Sequence, residues 1–399
     1  MKRTLFLLSL TAITLLSTAQ TWIWYPGDYQ IWLGNQMNNR RTERGAFFPH
    51  FWKMDSHYVL VEFSKKIDLA VAEEIEIAVE GTFNIKLDGK LQFENITQLF
   101  LHTVAEKNAY SVTARVATQI DKEVSAHGVS IIEIQKGASG FALNKSSLFN
   151  KRITAQTPID IYGPVKGHNL VKTKYSTIGT KTRGTLNNCA SGLTPWGTYL
   201  TCEENWAGYF KRPASNTLSA KAQLTQNRYM GSSSSNGSYG WANSTTSDDI
   251  YDRWNVTPNG TDETEDYRNV ANTFGWVVEI DPYYPTSTPR KRTNMGRFGH
   301  EGAMPGIVKS GKPLVYYMGD DSRNEYVYKY VSTASWDAND ATTGGLSIGD
   351  KYLDDGKLYV AKFSDDGSGQ WLELSMSNTT VTSYPTYTFD DLGDILVNT

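Results

Sequence analysis

Four aromatic stretches, Trp276–Ile280, Leu314–Met318, Tyr326–Val331 and Leu358–Phe363, recur with turns between them. That pattern narrows what the chain can fold into. Each stretch is too short for a helix that buries a face and has the length of an ordinary strand. Many short strands joined by turns make sandwiches, barrels or propellers. Composition agrees with this. Hydrophobic residues are only 39%, but 23 Tyr, 15 Phe and 11 Trp supply apolar area and 33 Gly supply turns. The sequence therefore predicts an all-β fold, and 399 residues suffice for two or three domains or one large one.

The N-terminus reads as an export signal over residues 1–19. Lys2 and Arg3 precede an apolar run from Leu5 to Leu16, and Ser17 and Ala19 place small residues before a cut ahead of Gln20. The run is short for a membrane span. A periplasmic, cell-surface or secreted product is expected, with no membrane span elsewhere. A net charge of -3 with both signs interspersed leaves no polybasic footprint, so nucleic acid is not an expected partner. Nothing in the sequence fixes an oligomeric state.

Residues 20–97 have a character of their own. Trp22, Trp24, Tyr25, Tyr29 and Trp32 alternate with polar residues around Pro26-Gly27-Asp28, as in edge strands and a turn. Tyr58–Phe63 and Ile75–Val79 read as strands, and Asp88-Gly89 predicts a two-residue hairpin. A basic loop carries Arg40, Arg41 and Arg44, which suit an anion but more often form a solvated loop. Further on, the polar tract 211–265 has no hydrophobic period and predicts a surface loop or insertion.

The densest chemistry lies in Gly184–Asn205, GTLNNCASGLTPWGTYLTCEEN. Cys189 and Cys202 flank a Thr-Pro-Trp-Gly turn, and Glu203 and Glu204 follow at once. Soft sulfur with hard carboxylate oxygen suits a transition metal. A disulfide closing a short hairpin is the competing reading for an exported chain. Strand alternation puts Glu203 and Glu204 on opposite faces. Two more constellations follow, His300-Glu301 between glycines in RFGHEGA and Arg323-Asn324-Glu325 at the opening of a β run. There Arg323 and Glu325 are expected on one strand face, the Glu for a cation and the Arg for a phosphate. His300 reads as a packing or supporting residue, and Trp196 as a structural plug.

From about residue 98 onward the chain resembles the secreted alkaline phosphatases called PhoX. The resemblance is carried by AHGVSIIEI (126–134), KRITAQTPIDIYGP (151–164), the Gly184–Asn205 stretch and FGWVVEIDP (274–282). RFGHEGA (297–303), YYMGDDSRNEYVYKYVS (316–332) and KLYVAKFSDDGSGQWLEL (357–374) carry it further. It implies a six-bladed β-propeller with iron and calcium at its centre, acting on phosphomonoester substrates. Matched position by position, Cys189, Glu204, Glu301 and Glu325 fall on metal-site positions, and Arg323 on the phosphate-binding, catalytic position.

Residues 22–63 and 80–95 instead resemble the N-terminal β-sandwich region of bacterial alpha-L-rhamnosidases, without their catalytic barrel. The resemblance thus implies an incomplete β-propeller over 98–399 preceded by a small β-sandwich-like segment. The leader has no twin-arginine pair. The chain stops before the portion that supplies a further acidic metal ligand in the family. The alternative expectations are a non-catalytic exported glycan-binding protein, with glycan contact through the N-terminal segment, or a rhamnosidase fragment.

Overall fold

The computed structural model describes residues 114–137, 140–213, 218–322 and 324–399, and before them the backbone of Arg3–Thr4, Val61–Glu62, Thr82–Leu87 and Lys90–Thr97. The chain divides into two compact units, Met1–Tyr110 and Ser111–Thr399. In the first, β1 (Thr82–Leu87) and β2 (Lys90–Thr97) pair antiparallel with Leu87 opposite Lys90. That is the register the Asp88-Gly89 spacing predicts. The expected signal peptide, Arg40, Arg41, Arg44 and most of the sandwich-like segment lie outside the described residues, as does Arg323.

The second unit opens with α1 (Ala117–Ala126) and β3 (Val129–Ile131). A hairpin of β4 (Ile134–Gly137) and β5 (Gly140–Leu143) follows, and β6 (Lys151–Ile153) returns to pair with β3. Two larger sheets then form. The six-stranded sheet has β7 (Pro158–Tyr162), β8 (Lys181–Arg183), β9 (Asn188–Leu193), β10 (Tyr199–Glu203), β11 (Val277–Ile280) and β12 (Arg290–Arg292). Their spatial order is β8-β7-β12-β11-β10-β9, antiparallel except between β7 and β12. The five-stranded sheet is an antiparallel meander in chain order: β13 (His300–Pro305), β14 (Pro313–Asp320), β15 (Val327–Ser335), β16 (Gly356–Phe363) and β17 (Gly369–Glu373). All four aromatic stretches are strands. The unit is mostly β, with few helices, and among the described residues neither sheet closes on itself.

Alternation explains which side of the meander is core. Leu314, Tyr316 and Met318 of β14 are buried, as are Tyr328 and Tyr330 of β15 and Leu358 of β16, while Tyr317 is half exposed. These side chains join Trp196, Trp336 and Tyr352 in one hydrophobic cluster. The two sheets abut along their edge strands β9 and β13. A Cβ on Gly192 would lie 1.9 Å from the Ala303 carbonyl oxygen, so only glycine permits the approach. Covering one edge with another also removes both from pairing with other chains.

The tract 211–265 departs from expectation, because it is folded. Ser219 caps α2 (Ala220–Met230), and Trp241, Tyr251, Trp254 and Val256 are buried with Trp206, Phe210 and Phe274 in a second cluster. These apolar residues come singly from turns and short helical turns, so their burial leaves no period in the sequence. Among the described residues no helix is long and apolar enough to cross a membrane.

Candidate functional site

Strands β9 and β10 form a hairpin around Thr194–Gly197, where Gly197 adopts φ +86° and its N–H donates to the Thr194 carbonyl at 3.1 Å. Trp196 is buried and donates from Nε1 to Glu279 Oε1 at 2.8 Å, the structural plug the sequence suggested. The open end of the hairpin carries Cys189 and Glu204. Its register shifts between Asn188 and Ser191, so β9 holds one extra residue and Cys189 bulges into exposure. Asn187 takes a left-handed conformation at φ 47°, which asparagine tolerates. Its carbonyl accepts from Glu204 N–H at 3.1 Å, and its Nδ2 donates to Tyr209 Oη at 3.0 Å. This residue braces the base of the hairpin.

Glu203 turns the other way and is fully buried. Lys291 Nζ donates to its two oxygens at 2.8 and 3.0 Å, and the N–H groups of Leu186, Gly275 and Trp276 complete its shell. Burial pushes the Lys291 ammonium down to about 8 against the attraction of Glu203. Both cysteines are free thiols, Cys202 buried and Cys189 exposed, so the disulfide reading is set aside.

Strand β13 repeats the device. Its register shifts between His300 and Ala303, placing Glu301 in a second bulge beside the first. Gly299 allows the closure, since a Cβ there would lie 2.9 Å from Asp320 Oδ1 and 3.4 Å from the Glu204 carbonyl. Three of the expected ligands, Cys189, Glu204 and Glu301, therefore come together at one end of two abutting strands. Cys189 hydrogen-bonds to Glu204, and Glu204 shares a further hydrogen bond with Asp321. Burial pushes the Cys189 thiol up, reinforced by its bond to Glu204 and by the charges of Glu204 and Glu301. Burial likewise raises Glu204, and Asp321 adds to it while the thiol opposes. Sequence reasoning missed Asp320 and Asp321, although the adjacent pair in YYMGDDSRNEYVYKYVS was a visible signal.

This donor set fits a cation in its chemistry. It combines a thiol with carboxylates, and Asp320 Oδ2 is buried with no hydrogen-bond partner. Among the described residues no three such side chains are gathered closely enough to hold an ion as they stand. A pocket of about 270 Å³ opens beside Glu204 and Ser322.

Glu325 is placed differently from expectation. The strand begins at Val327, and Glu325 lies in the preceding turn with its N–H donating to the Ser322 carbonyl at 3.2 Å. Asn324, just ahead of it, takes a left-handed backbone at φ 66°. Both Glu325 oxygens accept from Arg228 of α2, each at 2.8 Å, and Arg228 also donates to the Thr399 carbonyl.

His300 is a packing residue, stacked on Phe298 at 3.6 Å and bonded through Nε2 to the Gly296 carbonyl at 2.9 Å. Full burial pushes its imidazole down to about 3. The unfolded chain therefore takes up a proton near pH 6.5 that the folded chain refuses. Stability from this group is present above about pH 6.5 and is lost toward pH 3, by at most about 1.4 kcal/mol per pH unit. Urea unfolding at about pH 7.5 and about pH 5 checks this, and His300→Gln should flatten the difference. An equal pH slope in wild type and variant would contradict it.

The family model described as "Alkaline phosphatase PhoX" matches residues 82–399, taking in the β1–β2 hairpin as well as both large sheets. Among solved structures, Pseudomonas fluorescens PhoX in complex with vanadate, a transition state analogue, is similar, with 35% identity and a TM-score of 0.59. That similarity covers 71% of this chain and 46% of the other, so the chain spans less than half the length of that relative. No curated protein matches. With a family match across most of its length, this chain belongs to the PhoX alkaline phosphatase family.

Proposed function

We propose that this chain is a metal-dependent phosphomonoesterase of PhoX type that works in the periplasm, at the cell surface or outside the cell. The observation that carries the reading is the convergence of Cys189, Glu204 and Glu301, with Asp320 and Asp321, beside a pocket. It is supported by a relative, Pseudomonas fluorescens PhoX, captured in complex with vanadate, a transition state analogue.

In this reading iron and calcium are the resident cations, held by Cys189, Glu204, Glu301 and Glu325. Asp320 is a further donor, because its buried Oδ2 lacks any other partner. When bound, the metals supply Lewis acidity that offsets phosphate charge and lowers the pKa of water. Arg323 forks onto two phosphate oxygens and offsets the charge that develops on them. Glu203 and Lys291 hold the base of the hairpin so that Cys189 and Glu204 keep their spacing. In the net reaction the ester P–O bond breaks, water supplies the new P–O bond, and the departing alkoxide takes a proton. Cys189 and Glu204, both raised toward their neutral forms, must lose protons as cations bind, so loading tightens with rising pH. The architecture that goes with this reading is a β-propeller of the six-bladed type, to which the two abutting sheets would belong. The signal peptide at 1–19 and the sandwich-like segment at 20–97 belong to the same proposal.

Phosphate release from p-nitrophenyl phosphate, with iron and calcium supplied, tests it directly. Absence of release, together with no metal by elemental analysis, sinks the reading.

A further inference from the structure

We infer that His127 and Tyr209 are positioning residues for Glu204, joined to its carboxylate by a directed chain of hydrogen bonds that begins on helix α1. This rests on the reading of Glu204 as a metal ligand. Chemistry fixes the direction of each link. His127 Nδ1 lies 2.7 Å from the Glu123 carbonyl. A carbonyl can only accept, so Nδ1 carries the ring proton and Nε2 of the neutral imidazole is an acceptor. Nε2 lies 2.9 Å from Tyr209 Oη, and the phenol spends its one proton there. The Tyr209 oxygen is left to accept, and Asn187 Nδ2 donates to it at 3.0 Å.

That link decides which way the Asn187 amide points. Reversed, it would set its oxygen against a phenol with no proton to give and its nitrogen against donors on Asn205. As it stands, Oδ1 accepts from the Asn205 backbone N–H at 3.3 Å and from Asn205 Nδ2 at 3.4 Å. The Asn205 side chain also hydrogen-bonds to the Glu204 carboxylate. Since the Asn187 carbonyl takes the Glu204 N–H at 3.1 Å, one residue holds Glu204 by its backbone and, through Asn205, by its carboxylate.

The far end of the chain is anchored. Gly128, at φ +103°, ends α1 against β6, where a Cβ would lie 2.1 Å from the Ile153 carbonyl oxygen. The rings of Tyr209, Tyr239 and Trp241 pack nearly perpendicular to the His127 ring, at 5.2, 5.8 and 4.9 Å. Trp241 in turn donates from Nε1 to Glu123 Oε2 at 2.7 Å. The imidazole is therefore held toward Tyr209. Asn187 adds a separate ground, because its left-handed backbone at φ 47° would suit glycine better. An amide kept at a strained position is accounted for by its links to Tyr209 and Asn205.

The test uses Co²⁺ alone as the probe, since a bond from a thiolate to this ion adds a charge-transfer absorption and Cys202 is buried out of reach. Titrating the folded, metal-free chain should show the band of a Cys189–cobalt bond. Tyr209→Phe keeps the ring and removes only the oxygen, and should weaken Co²⁺ binding about tenfold, the lower end of the scale for outer-shell partners. Asn187→Gly keeps the left-handed backbone with less strain. It should weaken binding to a similar degree while its urea midpoint stays close to that of wild type, a separation that a merely structural role would not produce. It also carries the test if Tyr209→Phe does not fold. The double variant should bind about as well as the weaker single variant, because both cut one chain. Affinity within about twofold of wild type in either single variant overturns the inference, as do additive losses in the double variant. A wild type that binds no Co²⁺ and releases no phosphate overturns the metal-dependent reading and this inference with it.

Discussion

Lys291→Met should destabilise the folded chain by about 3–5 kcal/mol and disassemble the site, the largest stability effect expected of any single substitution. Lys291 and Glu203 are both 0% exposed, and each is the other's charge partner. Removing the ammonium leaves a carboxylate in the core with only backbone N–H groups to satisfy it, and burying an unpaired charge costs far more than a surface pair is worth. The damage extends to function because Glu203 accepts from Leu186, just ahead of Cys189, and is followed in the chain by Glu204. Urea midpoints for Lys291→Met, Glu203→Gln and the double variant settle the matter. The double variant should recover much of the loss, since a neutral pair no longer strands a charge. A single variant within about 1 kcal/mol of wild type would show that the pair does not hold the hairpin.

Cys189→Ser carries the largest effect expected on chemistry. A hydroxyl keeps the size of the thiol but is a poor ligand for iron, so metal content and phosphate release should fall by at least about 10–100-fold, the scale on which even outer-shell partners act. The control is Cys202→Ser, 13 residues away in the same hairpin but fully buried. That variant should lose about 1–3 kcal/mol from burying a hydroxyl, with metal content per folded chain unchanged. Identical metal loss in the two variants would refute the assignment of Cys189 as the ligand.

The reach of sequence reasoning is visible in particular residues. Leu314, Tyr316 and Met318 announced their strand because alternation is a local property, and Asp88-Gly89 announced its hairpin because turn chemistry is local too. Glu203 and Glu204 were sorted onto opposite faces by the same rule, and the burial of Glu203 agrees. The surface-loop reading of 211–265 failed because Trp241 and Trp254 reach the core from turns, where burial leaves no periodic trace. The placement of Glu325 in a strand failed beside Asn324, whose left-handed backbone belongs to the turn before Val327.

By itself, then, the sequence determined the strand-rich class, the Asp88-Gly89 hairpin, and the opposite faces of Glu203 and Glu204. Those properties depend on neighbours within a few positions. The tertiary structure alone decided that Cys189 and Glu301 project from paired bulges, that Asp320 and Asp321 join them, and that Arg228 holds Glu325. Each of these depends on pairing between segments far apart in the chain. The Glu203–Lys291 bond spans 88 residues and the Arg228–Glu325 bond 97, and no local rule of propensity or alternation reports which distant partners will meet.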